Sequence, residues 1–311
     1  MIYSRNIAKD ANILPSQILG GVGFGANFLS SAPRPSGDIA GQVYYVHPDY
    51  GSNNNDGLSP DAPLLTLLEA RTRSAGRISW SGSPWANQDA AVLFPGIYDE
   101  TSLVSGLYGL NLIGLGNAMD INGEMGVTIQ GASGSAWNAS SFINGGLFNI
   151  CFQAPADDGT EAVLQLDTFN RMVMEDCVIQ GTPAASASTL KGFEIVKDMT
   201  GSVVRRLWIN QCIAGIYLVA DNANSKQITS NKFEDIDIMA ATASGIYLDI
   251  NCVPSATVFR RFTIGPTPTL GVDDNSAAAM FNQGWVEASG MDPSSGSGHY
   301  NQVYVNGTLY T

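Results

Sequence analysis

GIYLVA at 215–220 returns as GIYLDI at 245–250, and GFEIVK at 192–197 is a weaker copy upstream of both. A second series runs beside it: RMVMEDCVI at 171–179, SVVRRLWIN at 202–210, KQITSNKFEDI at 226–236 and TVFRRFTIG at 257–265. Repetition at roughly 20 to 50 residues restricts a chain to stacked arrays, because one unit cannot bury its apolar face by itself. Each unit here holds two or three short alternating strands with turns and no helix. An all-β parallel β-helix, a solenoid, satisfies that pattern, with each coil hydrogen-bonded to the last at a step of roughly 4.8 Å. Ile216 is then expected over Ile246, and Leu218 over Leu248. In the second series, Ile228 is aligned with Val203 and Val258.

The composition fits: 34 glycines and 14 prolines are too many for helix interiors, yet they are spread along the chain rather than gathered in one tract. A formal charge of -13 is the wrong sign for releasing counterions from phosphates, so nucleic acid is not an expected partner. The most apolar run, ILGGVGFGANFL at 18–29, is too short and glycine-rich for a membrane span, and what precedes it is not the basic start of a secretory leader. Cys151, Cys177, Cys212 and Cys252 form no CxxC pair and no zinc spacing, and are expected to be reduced and partly buried.

Three regions follow. Residues 1–42 form an arm in which Ile7, Ile13, Leu14, Ile18, Leu19, Phe24 and Phe28 are scattered among Gly, Asn, Ser and Pro without a sustained period. Such a segment gains order by lying against another protein, and these seven side chains are its candidate partner-binding anchors. Gly21, Gly23 and Ala26 satisfy GxGxxA, but no strand precedes them and no helix follows, so no dinucleotide or other cofactor is implied. Residues 43–88 hold a strand (QVYYVHP), a dense turn (DYGSNNNDGLSPDAP) and an amphipathic helix over 64–74, closed by Gly76, that would cap the first coil. Residues 89–311 are the β-helix body, with buried strands such as 90–94.

VYYVHPDYGSNNNDGLSPDAPLLTLLEA, followed by VLFPGIYDE and LNLIGLG, resembles the opening of right-handed parallel β-helix proteins of the pectate-lyase-like superfamily. The likeness is close over residues 43–116 and rests on repeat character beyond. YSRNIAKDANILPSQILGGVGFG is similar to the N-terminal arms of tailed-phage virion proteins that carry such a β-helix: tail fibres, tailspikes and capsid decorations. The resemblance implies a virion structural protein, held to a capsid or tail protein by its arm, associated as a homotrimer, and reaching a host surface glycan. It also admits two rivals, a polysaccharide lyase or hydrolase and a carbohydrate-binding adhesin.

Polysaccharide cleavage requires paired carboxylates, or a base with a cation or arginine. The candidates are Asp157-Asp158, Glu175-Asp176, Asp235 with Asp237, and Asp273-Asp274. None sits in the superfamily's NxD, DD, GHG or RxK hydrolase motifs or its lyase His and Arg motifs, and only His47 and His299 exist. No catalytic residue is therefore assigned. Glu175-Asp176 precedes Arg205-Arg206 by the same interval that separates GIYLVA from GIYLDI, one coil, so the two pairs are expected to stack as ionic rungs. Arg260-Arg261 follows about two coils further on, and a basic stripe for an acidic sugar or a neighbouring subunit competes with simple charge balance. DYGSNNNDG at 49–57 echoes a calcium loop but lacks its final Glu, so no metal is assigned. Among the tryptophans at 80, 85, 137, 208 and 285, Trp80 and Trp85 are the foremost sugar-stacking candidates.

Overall fold

The computed structural model describes residues 41–77, 89–99, 106–118, 126–131, 135–154, 162–182, 190–219, 227–241, 243–249, 252, 254–265, 270–274, 281–288, 292–296, 300–305 and 308–310. The seven arm anchors from Ile7 to Phe28, the GxGxxA match, Trp80, Trp85, Asp157, Asp158 and His299 lie outside these residues.

The described chain is a parallel β-solenoid with one short helix. One sheet stacks Val43–Val46, Asp89–Leu93, Leu110–Gly114, Gly146–Phe148, Val173–Glu175, Val203–Asn210, Lys232–Met239, Val258–Ile264, Phe281–Ala288 and Tyr300–Val305 in chain order. Beside its first half runs a row of Gly96–Asp99, Val127–Gln130, Cys151–Gln153 and Val178–Gln180, which joins the sheet at Val203–Asn210. The second sheet stacks Leu107–Tyr108, Trp137–Ile143, Ala162–Asn170, Lys191–Thr200, Ala214–Leu218, Ser244–Leu248, Leu270–Asp274 and Asp292–Gly296. The final strand, Thr308–Tyr310, turns back antiparallel on Tyr300–Val305.

The expected ladders are present: Ile216 pairs with Ile246 and Leu218 with Leu248. The repeated glycine has its own cause. Gly192, Gly215, Gly245 and Gly271 fall in one column, and a Cβ on Gly215 would lie 2.6 Å from Ile238 Cγ2 and 2.7 Å from the Gly245 carbonyl oxygen. Coils approach too closely there for any side chain.

The alignment of Ile228 with Val203 and Val258 is corrected. Lys232 takes that place in the first sheet, while Ile228 pairs with Met199 and Pro254 in the second. A corner intervenes, formed by Ser230 in the left-handed region and by buried Asn231. Equivalent left-handed residues recur in evenly spaced pairs, at 144 and 149, 171 and 176, 201 and 206, 230 and 235, and 256 and 261. None is β-branched, as that backbone conformation demands. After the first corner of each of the last four pairs, Met172, Ser202, Asn231 and Thr257 form a buried column. Asn231 Oδ1 accepts from the Ser202 amide at 2.9 Å, and its Nδ2 donates to the Met199 carbonyl at 2.8 Å and to Thr257 Oγ1 at 3.5 Å. Ser202 Oγ in turn donates to the Phe169 carbonyl at 2.8 Å.

The helix spans Leu67–Arg77 rather than 64–74. Leu64 is held as a β-bridge: its amide donates to Tyr45 and its carbonyl accepts from His47. Thr66 then caps the helix, its hydroxyl accepting from the Glu69 amide at 3.2 Å. The helix runs past Gly76 and buries Leu67 and Ala70 against Tyr44 and Val46, over the first coil.

All four cysteines are buried thiols outside any disulfide, and burial pushes the Cys177 thiol up to about 12. A thiolate is the reactive species. Incubating native protein with a thiol-reactive dye at pH 8 is therefore expected to label none of the four, and labelling in denaturant all four, as read by intact mass.

Candidate functional site

Strand alternation puts Met174, Val204, Phe233 and Phe259 in the core, and simple alternation would return the next core residue two positions on. The left-handed residues at 176, 206, 235 and 261 delay that return by one. The next core residues are Cys177, Leu207, Ile236 and Phe262, so two consecutive side chains face outward in each coil. Those doublets are Glu175-Asp176, Arg205-Arg206, Glu234-Asp235 and Arg260-Arg261. Register stacks Glu175 on Arg205, Arg205 on Glu234, and Glu234 on Arg260.

The expected ionic rungs between 175–176 and 205–206 are present. Arg205 Nη2 meets Glu175 Oε2 at 2.6 Å, and Arg206 spans Asp176 with Nε at 2.6 Å and Nη2 at 3.0 Å. Arg206 also contacts Glu175. The two arginine doublets do stand two coils apart, but no basic stripe results, because the intervening coil carries Glu234-Asp235. Arg261 donates from Nε and Nη2 to Asp235, the latter at 2.7 Å, and Arg260 Nη1 lies 3.8 Å from Glu234. The column alternates in sign, coil by coil.

Solvent screening keeps the contribution of such surface ion pairs to stability small. Their larger effect is on register, since a slip of one coil would set like charges roughly 4.8 Å apart. The Arg261 guanidinium holds the Asp235 carboxyl below its ordinary value. Because that folded value is depressed, the pairing is complete above the unfolded carboxylate range and is lost as pH falls through the folded one. NMR titration of Asp235 is expected to show a midpoint below that of an exposed aspartate, returning upward in Arg261→Ala.

Arg206, Leu207, Trp208, Asp235, Asp237, Arg261, Phe262 and Thr263 line an open recess of about 500 Å³ beside this ladder. Trp208, Asp237 and Thr263 are successive members of one outward column. Trp208 is half-buried and packs against the cluster of Ala118, Cys151 and Val178. Asp237 is exposed, and its carboxylate has no hydrogen bond or ion pair among the described residues. Aligning SVVRRLWIN, KFEDIDIM and TVFRRFTIG by their doublets places Trp208, Asp237 and Thr263 in one column, a signal that ranking the tryptophans singly passes over.

The remaining candidates fall elsewhere. Asp273 pairs in register with Tyr247 on the second sheet, away from the recess. The 49–57 loop closes on the protein's own cation: Arg73 donates to the carbonyls of Asn53 at 2.9 Å, Asn55 at 2.7 Å and Asp56 at 2.8 Å. His47 stacks on Phe94 at 5.4 Å, its Nδ1 accepts from the Asp49 amide at 3.2 Å, and burial lowers its pKa. Trp137 is buried in the core, edge-on to Phe142.

Chemically, the recess offers an indole, two arginines already matched to carboxylates, one unmatched carboxylate and a hydroxyl. Asp235, held ionised, is poorly suited to donate a proton near neutral pH, the task a glycosidase acid performs. Comparison with protein-family models, curated proteins and solved structures finds no match for this chain.

Proposed function

We propose that the protein is a non-enzymatic structural protein of a tailed-phage virion, a tail fibre, tailspike or capsid decoration, whose solenoid attaches to a host or other surface. Residues 1–42, through Ile7, Ile13, Leu14, Ile18, Leu19, Phe24 and Phe28, are its tether to a capsid or tail protein. The body is a homotrimeric, right-handed rod of the pectate-lyase-like kind, carried on the extracellular particle. The resemblance of residues 43–116 to that superfamily and of the opening segment to virion arms supports this reading.

The observation that carries its non-enzymatic part is the alternating ladder. Glu175, Asp176 and Asp235, three of the carboxylates available for cleavage chemistry, are engaged by Arg205, Arg206 and Arg261. The recess favours recognition without turnover, which brings the adhesin reading inside this one.

Two measurements test it. Mass spectrometry of purified particles is expected to find the chain, and a version lacking residues 1–40 is expected to fold yet fail to incorporate. Incubation with host-surface polysaccharide is expected to release neither new reducing ends nor unsaturated uronates; either product would establish the lyase or hydrolase instead.

A further inference from the structure

We propose that the recess at Trp208, Asp237 and Thr263 binds an uncharged sugar unit of a surface polysaccharide and discriminates against uronates. This rests on the attachment reading and names the ligand class for it.

The charge arithmetic of the wall decides the class. Arg206 and Arg261 each direct Nε and Nη2 to a carboxylate one coil earlier, Asp176 and Asp235 respectively. Both cations are thereby neutralised within the protein. The carboxylate of Asp237 has no such partner among the described residues, and with Asp235 it balances the two arginines of the wall, so the recess holds no surplus positive charge. A uronate there would add a carboxylate beside Asp237 in a wall whose two cations are already balanced by carboxylates.

The same geometry suits a neutral ring. Trp208 is packed on one side by the Ala118, Cys151 and Val178 cluster and lines the recess on the other, which fixes an apolar plate for the C–H face of a sugar. Asp237 accepts from hydroxyls, and Thr263 both donates and accepts. Arg206 and Arg261 retain Nη1 groups, free of hydrogen bonds among the described residues, as donors toward ring or hydroxyl oxygens. The column from Trp208 to Thr263 covers two coil steps, roughly 10 Å, about the length of a disaccharide. A volume of about 500 Å³ falls within the roughly 300–1,000 Å³ of small-ligand sites.

The test is isothermal titration calorimetry of the full chain with hexasaccharides of glucose, galactose, mannose, N-acetylglucosamine and galacturonate. At least one uncharged hexasaccharide is expected to bind, and galacturonate to give no heat. Trp208→Ala is expected to weaken the binding at least tenfold. Because Trp208 also packs against the rod, Asp237→Ala serves as the second variant: its side chain is exposed, the fold is checked by circular dichroism, and a weakening of about threefold or more is expected. Preferential binding of galacturonate, neutral binding indifferent to both variants, or no binding of any uncharged hexasaccharide would each overturn the proposal. Absence of the chain from purified particles would instead remove the virion reading and leave the recess result standing.

Discussion

Replacing Phe233 by alanine is expected to destabilise the solenoid by about 3–5 kcal/mol, the usual cost of emptying a packed aromatic site. Phe233 is fully buried and lies parallel on Phe259, with ring centroids 4.9 Å apart and planes 3° from parallel. Its coil is hydrogen-bonded on both sides, to Val203–Asn210 and to Val258–Ile264, so neighbouring backbone has little freedom to collapse into the void. Tyr217 and Tyr247 supply the control. They stack equally well, 4.3 Å apart and 9° from parallel, but on the outer face of the second sheet. Tyr247→Ala forfeits chiefly the ring contact, about 0.5–1.5 kcal/mol. Denaturant midpoints of the two variants are expected to differ several-fold in their shift. Equal shifts would mean that ring stacking, not burial, sets the energetics of these ladders.

Asn231→Leu is expected to cost about 2–5 kcal/mol although it keeps the side chain's size, from unpaired groups at about 1–3 kcal/mol each. The Ser202 amide and the Met199 carbonyl lose their partner in a fully buried position, and the bond to Thr257 is lost as well. Chemical denaturation monitored by circular dichroism reads the loss. Hydrogen exchange adds the location, since the Ser202 amide is expected to lose protection ahead of amides in more distant coils. A neutral result would show that this column of polar side chains follows the corners without holding them.

The repeat GIYL is legible in the sequence because two demands coincide there: an alternating strand, and a glycine where coils nearly touch. Glu175-Asp176 and Arg205-Arg206 are legible as doublets one coil apart, whereas Glu234-Asp235 is hidden when Asp235 is set beside Asp237, and the environment of none of them is legible. MEDC, VRRL, FEDI and FRRF look like defects in a period of two, and only the left-handed residue inside each shows why both charges face outward. The same corner explains the misplaced Ile228. Ser230 and Asn231 fall inside KQITSNKFEDI, which the repeat pattern treats as one unit, whereas a left-handed Ser230 turns the chain there and Asn231 is fully buried and satisfied. The helix begins later than its apolar pattern predicts because Leu64, apolar enough for the helix, is claimed by Tyr45 and His47. The recess is hidden for a related reason. Trp208, Asp237 and Thr263 are far apart in the chain, and only the coil-to-coil register makes them neighbours.

The paired corners also bear on how such a chain can change over time. Each pair encloses a short side of constant length, yet the leading corners, at positions 144, 171, 201, 230 and 256, are unevenly spaced along the chain. Growth and shrinkage are thus confined to the remainder of each turn, while the short side keeps a constant gauge. Insertions elsewhere in the turn can alter what the column presents outward without disturbing the stack that carries it, so the outer surface can drift while the architecture stays fixed.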